Sequence, residues 1–494
     1  MWCRVGMRRT ARGVSSLAFR TPSPRYCDLP SRRLRLEPLE QRTLLSVWYV
    51  DDDALPGGNG TLERPFNTIQ QGIDAAVDGD TVHIAPGTYH ERLTWDSKGI
   101  ELLGAGADKT IIDAGSDEVV ASAVTIRQVP DTGRLSGVTI AGGIAEAGGG
   151  LFVSHSDLTI SNCVVRGNRS NSSGGGIYAE YGSPIIANTV IASNRAGADG
   201  GGICLVSSNA SVYNSLVADN LAQGVGGGVY IAWSPDVRIA NNVLRGNYSG
   251  GWGGAVAIIG SNATVVNNTM VANVGESGGG VGVLYGGGDY SRLINNVIAF
   301  NSSGIFCHAA AVVVQTNCFY GNVAYDSSFP VEGNLVADPR LEGLEYGRVH
   351  LVGDSPCIDV GDDGWVYGDW PDMDGQARIY GAHVDIGADE WDGTEWVVRP
   401  RVVRVSMAGD DSNDGSSWEL AKRTIGGAVE ALGAEGGEVW VAAGVYEERI
   451  ELPRYVFLYG GFAGDEESRE ERDWRVNETV IDGGQGGRAS AHSG

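Results

Sequence analysis

The chain has 494 residues, a formal net charge of −25 at pH 7 and 42% apolar residues, which is enough to bury a core and too apolar for a disordered polymer. Its 75 glycines are about twice the usual share, so glycine must serve a structure that repeats. Such an acidic surface repels nucleic acid and anionic lipid, and no run of 18 apolar residues is present to cross a bilayer as a helix.

Residues 1–47 read as an export segment, largely disordered, with ten Arg against three acidic residues. Without it the rest of the chain stands at −32. That balance suits an extracellular or cell-surface protein and offers carboxylates to divalent cations. Beyond this segment lie Cys163, Cys204, Cys307, Cys318 and Cys357. The number is odd and metal-type CxxC spacing is missing, so buried thiols are expected rather than a disulfide framework.

Residues 48–80 predict an N-terminal cap. Trp48-Tyr49-Val50 leads into Asp51-Asp52-Asp53 and a Gly/Asn loop. Pro65 is expected to open a helix with Phe66, Ile69, Ile73 and Val77 on one face. Thr81-Val82-His83-Ile84 reads as the first strand. A helix across the open end would shield the core and block end-to-end pairing.

From 148 onward the period decides the fold. Glycine clusters begin at Gly148, Gly174, Gly200, Gly226, Gly253 and Gly278, at spacings of 26, 26, 26, 27 and 25. An Asn pair six residues apart keeps step: Asn162/Asn168, Asn188/Asn194, Asn214/Asn220, Asn241/Asn247 and Asn267/Asn273. After each cluster comes a triplet such as Leu151-Phe152-Val153, Ile177-Tyr178-Ala179 or Val229-Tyr230-Ile231, whose first and third members are aliphatic or Ala. That is period two, a strand with its outer members facing a core. Further apolar sites precede each Asn, giving about three short strands per unit. At ~3.3 Å per residue such a unit makes one turn of a hollow coil, and stacked coils share parallel-strand hydrogen bonds. Asn tolerates the left-handed corner and can ladder with its copy one coil away, and Gly permits close approach. The fold expected is an all-β, single-stranded parallel β-helix over 48–340, about ten coils long.

Residues 341–392 are expected to terminate this helix, 393–401 to link, and 402–494 to begin another. Val82-His83-Ile84-Ala85-Pro86-Gly87-Thr88-Tyr89 is echoed by Val439-Trp440-Val441-Ala442-Ala443-Gly444-Val445-Tyr446. No Gly/Asn repeat follows, so 402–494 reads as the truncated N-terminal part of a second β-helix, and poor packing is expected there.

Three resemblances add to this. Gly-Gly-x-aliphatic followed by aliphatic-x-x-Asn resembles the repeat of bacterial right-handed parallel β-helix surface proteins, including polymorphic outer-membrane proteins. Leu36-Glu37-Pro38-Leu39-Glu40-Gln41-Arg42-Thr43-Leu44-Leu45-Ser46 is similar to an N-terminal export motif of large bacterial surface proteins. Gly353-Asp354-Ser355-Pro356-Cys357-Ile358-Asp359, Asp374-Gly375-Gln376-Ala377-Arg378 and Val384-Asp385-Ile386-Gly387-Ala388-Asp389-Glu390 resemble the module called choice-of-anchor Q. Together they imply a pectate-lyase-like solenoid outside the cell, without implying a chemistry.

For a site, the middle strand position points outward and carries Phe152, Tyr178, Cys204 and Tyr230, an expected exposed column ~15 Å long, with Trp233 and Trp252 nearby. Aromatic faces in a row suit sugar rings; the same pattern suits stacking between coils. Asp51-Asp52-Asp53, Asp362-Asp363, Asp372-Met373-Asp374-Gly375 and Asp410-Asp411 are oxygen-rich clusters of the kind that suits Ca²⁺. No cofactor is required. A polysaccharide lyase or related carbohydrate enzyme is the alternative to a polysaccharide-binding scaffold. The repeats, however, show no readable acid–base pair among Asp199, Asp219, Asp236, His155 and their arginines.

Overall fold

The computed structural model describes residues 45–483 apart from 116–118, 286–290, 309–310, 324–332, 367–369 and 396–398. The expected export segment lies almost wholly outside these residues.

A representative coil runs through strands Ile177–Glu180, Ile185–Ala187, Val190–Ala192 and Arg195–Ala196. Each pairs in parallel with its copy in the next coil. Ile177 stands beside Ile203, and Ile203 beside Val229. Among the described residues this gives a nine-stranded sheet following the glycine clusters (the glycine sheet), second and third sheets of eleven strands each, and a short fourth sheet of five strands. The fourth, made of two-residue strands such as Leu221–Ala222, adds to the three strands expected from the repeat. Ile177 and Ala179 are buried between the sheets, with Ile186 and Ile191 from the other two. The interior is one continuous column of aliphatic side chains.

The two Asn positions divide their work. The first of each pair holds the left-handed corner, at φ 53° for Asn162, 48° for Asn188 and 50° for Asn214. The second is buried and laddered. The side-chain amide of Asn194 donates to Asn220 at 3.0 Å and that of Asn220 to Asn247 at 3.0 Å. Each amide also donates to a backbone carbonyl and accepts the backbone N–H of the Asn before it. All its hydrogen-bonding capacity is thereby used. A second ladder, Asn242–Asn268–Asn296–Asn317, runs between the second and third sheets.

The cap differs from expectation in its helix. Helix α1 spans Ile69–Ala75, with the Thr68 side chain accepting from Gln71 N. Pro65 does not open it, because Phe66 is extended, bridged to Val50 and stacked on Trp48 at 5.8 Å. Val77 falls beyond the helix and is exposed. Glu91 fixes the start by accepting from Ile69 N and Gln70 N at 2.7 and 3.1 Å, satisfying donors that a helix start leaves open. Val47–Val50 already pairs with Thr81–Ile84 as the first strand of the second sheet.

Residues 341–392, expected to close the open end, pack on the flank instead. Outward residues of the third sheet (Val243, Val271, Val297, Ala299, Cys318) form a separate core with Val349, Leu351, Cys357, Ile386 and Ala388. The cause is in the sheet: it is apolar on both faces here, so its outer face needs a cover. Asn295 and Asp362 exchange two hydrogen bonds at 2.9 and 3.1 Å. Contact with Cys318 and burial together hold the Cys357 thiol far above the usual range. Cys163, Cys204, Cys318 and Cys357 are buried free thiols.

Residues 402–482 do not pack poorly. Strands Val402–Val405, Gly437–Ala442 and Val456–Phe462 form a parallel sheet. Helix α2, Ile425–Leu432, covers it, and Val403, Val405, Ile425, Ala428, Val439 and Val441 form a buried cluster. The echo of the first cap extends to single hydrogen bonds. Thr424 caps α2 as Thr68 caps α1, and Glu448 accepts from Ile425 N and Gly426 N as Glu91 does from Ile69 and Gln70.

Asn220→Ala should strand several buried partners at once, Ile191 O and Asn194 N among them. Unfolding in urea should show a loss on the order of 3 kcal/mol or more. Asn209→Ala, at an exposed position, should stay within about 0.5 kcal/mol of the parent.

Candidate functional site

The outer face of the glycine sheet carries two aromatic columns, and they differ in what they offer a ligand. The first is the expected one. Phe152, Tyr178 and Tyr230 are half-buried rather than exposed. Phe152 and Tyr178 lie parallel, 5.6 Å apart at 4°, so each turns a ring face to the other. Cys204, expected in the exposed column, is fully buried, because it stands in register between Tyr178 and Tyr230. Burial pushes its thiol well above the usual range and the two phenols up to about 12, so all three are neutral at pH 7. Trp252 extends this column: its ring occupies the space that a side chain at Gly282 would fill.

The second column stands one residue past the strands, at the corner. His155, Tyr181, Ser207, Trp233, Gly260 and Tyr285 occupy the same place in successive coils, with φ of 47–55°. His155 N donates to Glu180 O, just before Tyr181, and Trp233 N donates to Ile259 O, just before Gly260. Tyr181, Trp233 and Tyr285 are 55%, 63% and 57% exposed. They alternate with small residues, so the large rings recur every second coil, about 10 Å apart along the axis. Trp233 leans across Gly260, whose missing side chain makes room for the ring. His155 stacks on Tyr181 with centroids 5.0 Å apart.

A left-handed conformation costs a non-glycine residue about 1–2 kcal/mol, and bulky residues seldom adopt it. Three large aromatics hold it here with most of their surface in solvent, so little packing offsets the cost. Strained backbone of this kind clusters at functional sites.

Polar groups flank the rings. The Ser154 hydroxyl donates to Glu180 Oε1 at 3.1 Å and lies 2.9 Å from His155 Nδ1. Serine is therefore the middle member, whereas a nucleophilic relay puts the histidine between serine and carboxylate. The cluster offers acceptors and donors suited to hydroxyl groups.

Of the residues singled out from sequence, Phe152, Tyr178, Tyr230, Trp233 and Trp252 thus lie on one face, Trp233 at its rim. Tyr181 and Tyr285 were not singled out, and His155 was weighed only as an acid–base candidate. Their signal was present: each stands five residues after the third position of a glycine cluster. Asp51, Asp52 and Asp53 lie far from this face in the cap. They place carboxylate oxygens within 4.8 Å of one another, two of which already accept Asp53 N and Thr88 N.

A family model described as "Right handed beta helix region" matches residues 125–298. The chain carries a right-handed parallel β-helix. Among solved structures, pectate lyase Pel9A is 15% identical, with 70% of this chain and 97% of that one covered and a TM-score of 0.44. A GH136 lacto-N-biosidase from Eubacterium ramulus is 12% identical, with 59% and 67% covered and a TM-score of 0.38. Pectin methylesterase PemA from Erwinia chrysanthemi is 12% identical, with 59% and 92% covered and a TM-score of 0.32. No curated protein sequence matches the chain. The coil-by-coil pairing carries the fold, and the site stands on its own residues. Among the described residues no helix is long and apolar enough to cross a membrane.

If the corner rings serve a ligand rather than the fold, Tyr181→Gly should leave the urea midpoint unchanged or raised, because it relieves the left-handed strain. A loss of more than about 1 kcal/mol would assign the ring a structural role.

Proposed function

We propose that this chain is an extracellular or cell-surface scaffold that binds a polysaccharide along the outer face of the glycine sheet, the sugar chain running parallel to the helix axis. The observation that carries this reading is the exposed trio Tyr181, Trp233 and Tyr285, repeated every second coil. An extended chain of equatorially linked hexopyranoses presents the same ring face once per disaccharide, a repeat that matches two intercoil steps of about 10 Å. Aromatic faces stack on the apolar faces of such rings. The half-buried Phe152, Tyr178, Tyr230 and Trp252 supply a floor beside them, and Ser154, Glu180 and the two phenols supply hydrogen bonds to hydroxyls.

Charge selects among sugars. Glu180 and Asp157 flank the corner column, and the whole chain stands at −25, so an uncharged polymer is favoured over a polyuronate. Stacking needs no cofactor. A Ca²⁺ ion on Asp51–Asp53 would serve the cap rather than the sugar face. Export is supported by the segment at 36–46 and the acidic surface, and the resemblance of 353–390 to an anchor module supports display at the cell surface.

Titration calorimetry of the full chain with a soluble β-1,4-linked glucan or mannan and with polygalacturonate should show binding to the neutral polymer. Trp233→Ala should weaken it at least tenfold, about 1.4 kcal/mol. Tyr178→Ala should cost less, since a face of that ring is already covered by Phe152. Binding should occur without new reducing ends or unsaturated product. Turnover would favour the alternative, a carbohydrate-active enzyme centred on Glu180 and Ser154.

A further inference from the structure

The flank segment buries four carboxyl groups around one guanidinium. Asp372, Asp385, Asp389 and Glu390 are all buried. The guanidinium among them, Arg378, donates to Ala388 O, Asp385 O and Gly387 O and lies 3.9 Å from Glu390. Buried carboxylates persist when hydrogen-bonded and paired with a cation or a metal.

Three of the four serve the backbone with both oxygens. Asp372 accepts Asp374 N and Gln376 N on one and Glu390 N on the other. Asp385 accepts Asp359 N and Trp391 N. Glu390 accepts Tyr380 N and Asp385 N. Asp389 is placed differently: its Oδ2 accepts Leu351 N at 2.7 Å, and it converges with Asp374 and His350. These three bring one imidazole nitrogen and two carboxylate oxygens within 4.8 Å of one another. His350 is buried, and its Nε2 lies 3.0 Å from Asp374 Oδ2.

The cluster is also reachable. His350 and Asp374 line a cleft of about 350 Å³ between the third sheet and the flank segment, opposite Asn214, Asn241 and Val243. An ion has a route in, and a water has room to complete its shell.

We infer that His350, Asp374 and Asp389 bind one zinc-class divalent ion, with the remaining coordination position open to this cleft. One imidazole nitrogen and two carboxylate oxygens, with a vacant fourth position, suit Zn²⁺. Ca²⁺ takes six to eight oxygens and has no use for the imidazole. The ion ties strand His350–Leu351 to the 372–376 turn and to the segment after Ala388, which are separate in sequence and meet on the flank.

The test uses the full chain without an affinity tag, stripped with chelator and titrated calorimetrically with zinc chloride and, in parallel, calcium chloride. One Zn²⁺ per chain is expected, confirmed by elemental analysis after dialysis, with a raised thermal midpoint and no calcium response that depends on His350 or Asp374. Asp374→Asn keeps shape at a partly exposed position and should lower zinc affinity at least tenfold; His350→Gln should do the same, with circular dichroism checking that both remain β-rich. Asp53→Asn, in the other acidic cluster, should leave zinc uptake unchanged. No zinc uptake, zinc uptake unaltered in both cleft variants, or a calcium response equal to that of zinc and lost in the cleft variants would overturn the assignment.

Discussion

A coil of this protein cannot stand alone. Its strands are two to four residues long, and their N–H and C=O groups point along the axis to the coils above and below. The structure therefore depends on register: each residue must sit over its counterpart one period away, or whole rows of buried backbone groups lose their partners. The Asn ladders enforce this from inside. An amide that donates to the next amide and to a backbone carbonyl, while accepting from the coil before, fits only when the coils are neither slipped nor spread. A one-residue slip would turn the aliphatic columns outward and at the same time strand these buried amides.

Register has a consequence on the outside. A side chain that faces outward does so again one coil later, at the intercoil spacing. The surface becomes a ruler, and a row of equal residues becomes a row of equally spaced contacts. Which face is available for use depends on what covers the others. The flank segment lies on the third sheet and reaches the second through Trp365 and Trp370, which pack against Ala240, Val266 and Ile294. Residues 402–482 also touch the third-sheet side, through the Arg166–Glu430 ion pair and the hydrogen bond from Arg454 to Ala272 O. The corner beside the glycine sheet carries the exposed rings of Tyr181, Trp233 and Tyr285.

The parts of this design that repeat were legible in the sequence. Glycine clusters, Asn pairs and aliphatic triplets kept phase, and phase implies stacking. The second Asn ladder was less legible, because Asn242, Asn268 and Asn296 sit directly after the corner Asn and read as part of the same turn. Strand parity correctly sent Phe152, Tyr178 and Tyr230 outward. It could not say that neighbouring rings would cover one another and close over Cys204. The flank packing was hidden for a different reason. Val243, Val271 and Val297 look like ordinary strand residues, and only a tertiary partner makes an outward apolar position stable. The helix start was misplaced because Phe66, which suits a helix face, gains more by stacking on Trp48.

The coil itself supplies a control for the corner column. Each turn makes several left-handed corners, and one of them, after the second sheet, is filled by Asn162, Asn188, Asn214, Asn241, Asn267 and Asn295. Asn is among the residues that accept this conformation at least cost. Another corner, after the third sheet, carries Ser193, Asp219, Ala272 and Phe300, and there the one large residue is packed, its ring against Tyr320 at 5.6 Å. At the corner after the glycine sheet the same backbone geometry is given to Tyr181, Trp233 and Tyr285, which remain more than half exposed. A chain that already uses Asn for this geometry elsewhere in the same coil departs from it on the face that carries the exposed rings. A flat ligand stacked on those rings would supply the contacts that the protein leaves unmade.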